Sequence, residues 1–146
     1  MKDFEVFFEQ CTISNNAKIV LEDKVVQGSL VIKDGKISEI SDGGTSIKNL
    51  INCNGDYLGP GLVELQTDNL ERHLQPRPGV VWPRKAAILS HDLQMASVGI
   101  TTVFNALRAG SVISKKASNY KKYTRSVADD ILQMNASNLL RVNHFL

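Results

Sequence analysis

Apolar and polar positions alternate in short runs from Ala17 to Asp56 and then change period. Ala17-Lys18-Ile19-Val20-Leu21, the pair Glu22-Asp23 and Lys24-Val25-Val26 predict a hairpin. Leu30 to Lys33 and Lys36 to Ile40, separated by Asp34-Gly35, predict a second hairpin. Asp-Gly suits the positive φ that a type I′ turn needs at both central residues. Asp42 to Ser46 reads as a loop, Lys48 to Cys53 as a further short strand and Asn54-Gly55-Asp56 as a turn. Residues 15–56 are thus expected to be a meander of small strands, preceded by a mixed acidic and aromatic stretch, 1–10, that suits an edge strand or a tail. Taken alone they are too small for a good two-layer core.

After a Gly59-Pro60-Gly61 turn comes an apolar run, Leu62 to Leu65, which ends in a polar cluster: Gln66, Thr67, Asp68, Asn69, Glu71, Arg72 and His73. A buried strand that discharges such groups at its C-terminal end is how parallel α/β proteins build sites. Arg84 to Val98 then has helical spacing, with Pro83 suited to the first turn and Gly99 to the left-handed position after the last. Leu89, Leu93 and Ala96, with Ala86 one turn earlier, are its expected buried face. Ile100 to Ala106 is a β-branched run of strand length, and Arg108 to Ser111 a loop. A second helix is expected over about 115–134, with Tyr120, Tyr123, Val127, Ile131 and Met134 on one face. Leu139 to Leu146 passes into a third strand. The order strand, helix, strand, helix, strand predicts a parallel sheet. A (β/α)8 barrel takes about 250 residues, so the chain is expected to be cut short rather than finished.

Composition narrows this picture only a little. With 146 residues the chain can form an ordinary core, and a net charge of +2 makes no case for nucleic acid or membrane. Cys11 and Cys53 belong to no CxxC or Cys/His pattern, and acids interrupt the N-terminus. Both features suggest a cytoplasmic protein with reduced thiols and no signal peptide.

Side chains on a strand alternate faces. An extended Leu62 to Asp68 would put Leu62, Glu64, Gln66 and Asp68 on one face, and Val63, Leu65 and Thr67 on the other. Gln66 and Asp68 could then reach one metal ion. Asp68 reads either as a metal ligand or general base, or as a residue capping a turn. Glu64, in mid-strand, is either an acid supporting the site or a sign of a shifted register. Val103 and Asn105 share a face of the second strand, with Asn105 in place for a polar contact. Arg72, His73, Arg77 and Arg84 form a basic, Pro-rich segment. It suits an anionic substrate through Arg forks, or it is a solvated loop. Lys115, Lys116, Lys121, Lys122 and Arg125 read as a solvent face. His91 reads as a structural helical histidine, and His144 opens the third strand with its partners absent from the chain. The sequence has no Walker loop, GxGxxG or GxSxG.

Leu58 to Val63 (LGPGLV), Glu64 to Glu71 (ELQTDNLE), Pro76 to Val80 (PRPGV), Trp82-Pro83, His91-Asp92 and Gly99 to Val103 (GITTV) together resemble the phosphonate-metabolism branch, the PhnM family, of the amidohydrolase superfamily. The resemblance covers nearly the whole chain and matches the N-terminal third to two fifths of such a protein. It implies an α/β fold: the first two to three strands of a metal-dependent (β/α)8 barrel over residues 58–146. Residues 1–57 would be the N-terminal half of a small composite antiparallel β-sandwich. It implies a divalent cofactor such as Zn, Mn or Mg, with Asp68 as ligand and Gln66 a weak one where the family has histidine. Asn69, Glu71, Arg77, Asn105 and Glu64 would serve the substrate or support the site. The implied partner is a small anionic triphosphate ester of a ribose phosphonate, hydrolysed to a 5-phosphate and pyrophosphate. No nucleic acid or membrane is expected, and a homo-oligomer is left open. Asn105 and Asn143 stand where the family commonly has acids, and the later strands, with their histidines, are missing. The chain by itself is therefore expected to be inactive and to hold no metal tightly. Two other readings follow from the same residues: a degenerate homologue that binds phosphates or a partner, and a relative that hydrolyses C–N bonds.

Overall fold

The computed structural model describes residues 11–43, 51–77, 79–108 and 123–146. The readings for residues 1–10, most of the 42–46 loop, residues 48–50, the end of the 108–111 loop and residues 115–122 lie outside them. The chain divides into two compact units, Met1–Pro60 and Gly61–Leu146.

The first unit is one five-stranded sheet. Strand β1 (Cys11–Val20) pairs antiparallel with β2 (Val25–Lys33), and β2 with β3 (Lys36–Asp42). Asp34 and Gly35, at φ 50° and 73°, form the left-handed hairpin that their sequence predicts. A bulge between Ser14 and Ala17 is filled by Asn16 at φ 55°, whose side-chain oxygen accepts from Gln27. The expected antiparallel meander stops there. Strands β4 (Ile51–Asn52) and β5 (Tyr57–Leu58) run parallel to β1 along its other edge, so the sheet is mixed. The Asn54-Gly55 turn, at φ 51° and 79°, lets the chain leave β4 and return to the same edge, where Lys18 donates to the Asp56 carbonyl. Alternation shows that a strand forms, not which edge it joins. The described strands make a single sheet, with a small core of Ala17, Ile19 and Leu30 backed by Leu21, Ile32, Cys53 and Leu58.

Gly28 fits this sheet for a steric reason. A Cβ there would collide with the backbone carbonyl of Ser41 on β3. Gly28→Ala must therefore spread β2 from β3, and a loss of about 1–3 kcal/mol is expected in urea unfolding. A loss below about half of the lower figure would show that the strands yield freely.

The second unit is the predicted parallel sheet. Strands β6 (Leu62–Thr67), β7 (Ile100–Asn105) and β8 (Asn143–Phe145) lie in that order. A short helix, α1 (Leu70–Leu74), follows β6 where the sequence reading has only a polar segment. Helix α2 (Arg84–Ser97) links β6 to β7, and α3 (Tyr123–Ala136) precedes β8. Gly99, at φ 83°, ends the α2 connection in the left-handed conformation expected of it. Leu70, Leu74, Ala87, Ile88, Val127, Ile131 and Met134 pack α1, α2 and α3 together, and Met95, Val103 and Val142 form a second cluster. Arg84 pairs with Asp130 at 2.6 Å, and Lys85 reaches Gln133 at 3.0 Å, fastening α2 to α3 from outside. Arg84 therefore serves packing rather than an anion-binding segment.

The buried face of α2 is not the expected one. Leu89 and Leu93 are exposed, and Ala86 also faces solvent. The buried residues are Ala87, Ile88, His91, Asp92 and Met95. The period is the same, but its phase is rotated by the inclusion of two polar residues, which hydrogen bonding makes tolerable inside. Among the described residues no helix is long and apolar enough to cross a membrane.

Candidate polar site at the end of the first parallel strand

Strand β6 ends at Thr67, which is buried and pairs with Asn105, and the Thr67 carbonyl accepts the Ala106 N–H at 2.8 Å. The register against β7 is irregular between Leu62 and Val63 and between Glu64 and Thr67. That irregularity overturns the simple alternation. Asp68 lies just past the end of the strand, which closes at Thr67. Asp68 is exposed, and its carbonyl accepts the Glu71 N–H at 3.0 Å in the turn into α1. Gln66 is exposed, and its N–H donates to Glu64 Oε1 at 3.2 Å. Glu64 thus spends one carboxylate oxygen on its own strand.

The remaining candidates separate. Asn69 is half-buried, and its N–H donates to Thr67 Oγ1 at 3.1 Å. Glu71 pairs with Arg108 at 3.4 Å and so links the start of α1 to the segment after β7. Arg77 is exposed and bridges to Val80 in a separate turn. Asn69, Arg72, His73 and Gln94 line one pocket of about 240 Å³, in which His73 Nε2 lies 2.8 Å from Gln94 Oε1. Among the described residues no three His, Cys, Asp or Glu side chains gather as a metal-binding group.

Asn105 is buried, and it organises a polar cluster that sequence reasoning missed. His91 Nε2 is 3.2 Å from Asn105 Oδ1, so this nitrogen carries the proton and donates. The Asn105 amide nitrogen donates to the Phe145 carbonyl at 3.1 Å and to His144 Nδ1 at 3.1 Å. His144 Nδ1 is therefore the acceptor, and His144 Nε2 donates to Asp92 Oδ1 at 3.2 Å. The carboxylate of Asp92 also accepts the Arg141 N–H at 3.0 Å and the Val142 N–H at 2.9 Å. Asn135 on α3 donates to the His144 carbonyl at 2.7 Å. His144 is therefore not a residue with missing partners: α2, β7 and α3 supply them. The available signal was the pair His91-Asp92 within the helical phase of Ile88 and Met95.

Both imidazoles are held neutral. Burial pushes His91 down to about 4, with the charges that His144 and His73 would carry adding to the effect against Asn105 and Asp92. Burial likewise lowers His144, and the hydrogen bond and charge of Asp92 oppose it. The His91 ring lies 5.5 Å from that of His73 and 5.7 Å from that of His144, and its Nδ1 has no partner among the described residues.

No family model matches the chain. It is 44% identical over 100 residues, 68% of its length, to the alpha-D-ribose 1-methylphosphonate 5-triphosphate diphosphatase of Escherichia coli (strain K12). The chain spans 26% of that relative's length. A crystal structure of an uncharacterised protein superposes with a TM-score of 0.53 at 18% identity, covering 92% of this chain and 31% of that one. At that identity the likeness concerns the fold alone. An L-hydantoinase (dihydropyrimidinase) from Arthrobacter aurescens superposes at 0.47 with 25% identity, covering 66% of this chain and 20% of that one.

Proposed function

We propose, for a chain that belongs to the family of α-D-ribose 1-methylphosphonate 5-triphosphate diphosphatases, the reaction of that family: hydrolysis of a ribose triphosphate ester to its 5-phosphate and pyrophosphate. The observation that carries this reading is the 44% identity over 100 residues. In this reading residues 58–146 open a (β/α)8 barrel, residues 1–57 belong to a composite β-sandwich, and the protein works in the cytoplasm. Parallel strands place their sites at C-terminal ends, and that end of β6 is followed by Asp68, Asn69, Glu71 and Arg72. Cationic and amide donors there suit phosphoryl oxygens, whose charge must be balanced as the anhydride bond breaks.

A divalent ion such as Zn, Mn or Mg belongs to this reading, with Asp68 and Gln66 as its donors. Those two residues do not make a site by themselves. An exposed carboxylate and an amide fall short of the three or four ligands a catalytic zinc takes. No step is therefore routed through the ion. Asn105 is also withdrawn from ligation, because both ends of its amide are engaged with His91, His144 and the Phe145 carbonyl. This engagement favours a second reading, a non-catalytic homologue that binds phosphates.

The two readings separate by assay. Pyrophosphate release from the triphosphate ester would be measured for the protein that carries this chain, before and after Gln66→His. The first reading expects release that rises with the imidazole by about tenfold or more, a gain typical of restoring a lost ligand or its support. No release from either form selects the second reading. Strong release that Gln66→His leaves unchanged removes residue 66 from the ligand set.

A further inference from the structure

The turn between β4 and β5 carries a latent modification site. Of the chain's eleven asparagines, Asn54 alone is followed by glycine. Glycine has no Cβ to hinder its backbone nitrogen, so at such a pair that nitrogen reaches the preceding side-chain amide with the least steric cost. Asn54 is exposed, so water and hydroxide have access to its side chain. The fold holds the pair away from this reaction. The Gly55 N–H, whose nitrogen would attack, donates to the Asn16 carbonyl at the β1 bulge at 2.7 Å. The Asp56 N–H closes the turn on the Cys53 carbonyl at 2.8 Å. The Asn54 N–H donates to Asn52 Oδ1 at 2.9 Å, and the Asn16 side-chain amide reaches the same oxygen at 3.3 Å. Asn52 thus ties the turn to the bulge that restrains it.

We propose that Asn54 is a site of spontaneous deamidation and isoaspartate formation, gated by opening of the β4–β5 turn from β1. When the turn opens, the Gly55 nitrogen gives its proton to hydroxide and attacks Asn54 Cγ. The N–Cγ bond forms, the Cγ–Nδ2 bond breaks, and ammonia leaves with a proton taken from water. The product is a cyclic imide. Water then adds to one of its two carbonyls and opens the ring. Aspartate results if the Gly55 nitrogen leaves Cγ, and isoaspartate if it leaves the main-chain carbonyl carbon. Nothing is oxidised or reduced, and the co-reactants are water and hydroxide. Isoaspartate adds a methylene to the main chain inside the Cys53–Asp56 turn, which then no longer closes. The Lys18 N–H loses the Asp56 carbonyl that it meets at 2.8 Å, β5 leaves β1, and Leu58 leaves the small core. The ammonia is not regained, so the loosening runs one way.

The test ages the 146-residue chain at mildly alkaline pH, folded and in urea. Conversion of amide to acid is followed by mass spectrometry of the peptide that holds residue 54. In urea Asn54 is expected to convert ahead of every other asparagine. In the folded chain it is expected to convert about tenfold or more slowly, because the reaction waits for local opening. Asn52→Ala removes the shared acceptor and should speed conversion in the folded chain by about fivefold, with no change in urea. Asn52→Asp keeps an acceptor oxygen and should stay near the parent rate. In the separated isoaspartate form the Lys18 amide should lose its protection from hydrogen exchange, while the amides that pair β2 with β3 keep theirs. The proposal is overturned if Asn54 does not lead in urea, if the folded and urea rates agree, or if Asn52→Ala leaves the folded rate unchanged. A Lys18 amide still protected in the isoaspartate form refutes the detachment of β5.

Discussion

Asp92→Ala is expected to lower the unfolding free energy by about 3–5 kcal/mol, because each buried donor left without an acceptor costs about 1–3 kcal/mol. Asp92 is fully buried, and it accepts from the Arg141 and Val142 N–H groups and from His144 Nε2. Truncation leaves three interior donors without an acceptor, and each retains its own desolvation penalty. It also loosens the approach to β8, a three-residue strand that pairing with β7 and the amides of Asn105 and Asn135 still hold. Asp92→Asn keeps one acceptor oxygen but turns an NH₂ toward a donor, so an intermediate loss of about 1–3 kcal/mol is expected. A domain of ordinary stability has about 5–15 kcal/mol in total. The alanine variant should therefore lose a large fraction of its stability. Urea midpoints and the backbone amide exchange of residues 141–145 measure the effect. A loss under about 1 kcal/mol, the worth of one ordinary hydrogen bond, would show that β8 is held by something else.

The second large effect is acid sensitivity. His91 is held at about 4 in the fold against an ordinary 6.5, because burial disfavours its charged form. Below 6.5 the unfolded chain takes up a proton at this residue that the folded chain refuses, so protons favour unfolding. Above 6.5 both states are neutral and His91 contributes no slope. Stability should fall as the pH drops from about 6.5 to about 4, by on the order of 3 kcal/mol from His91 alone. His144 is shifted in the same direction and steepens the fall. The diagnostic window is pH 6.5 to 5, above the range in which most carboxylates titrate. His91→Gln keeps a donor for Asn105 and removes the titrating ring, so it should flatten the urea-midpoint slope there. An unchanged slope would place the proton uptake elsewhere.

The Asn105 amide ties these two predictions together. It donates to His144 and to the Phe145 carbonyl while it accepts from His91. A carboxylate at 105 would set an oxygen against the Phe145 carbonyl. The amide that looks in the sequence like a lost acid is, in the fold, the group whose two ends match its neighbours.

What the sequence determined by itself is the local and periodic part of the protein. Asp34-Gly35, Asn54-Gly55 and Gly99 mark left-handed turns because their backbones have few other uses. The apolar run Leu62 to Leu65 and the β-branched run Ile100 to Val103 mark strands, and the order of strand and helix after residue 58 predicts a parallel sheet. The ELQTDNLE and PRPGV segments indicated the family, because side-chain identity in a run is a local record. The tertiary structure decided whatever depends on which groups meet. It set β4 and β5 on the free edge of β1, which no alternation encodes. It shifted the β6 register so that Thr67 is buried and Asp68 lies beyond the strand. It rotated the buried face of α2 away from Leu89 and Leu93, because hydrogen-bond partners up to 52 residues away at Asn105, Arg141, Val142 and His144 make His91 and Asp92 tolerable inside. A polar residue is buried only when its partners are in place, and those partners are assembled by folding.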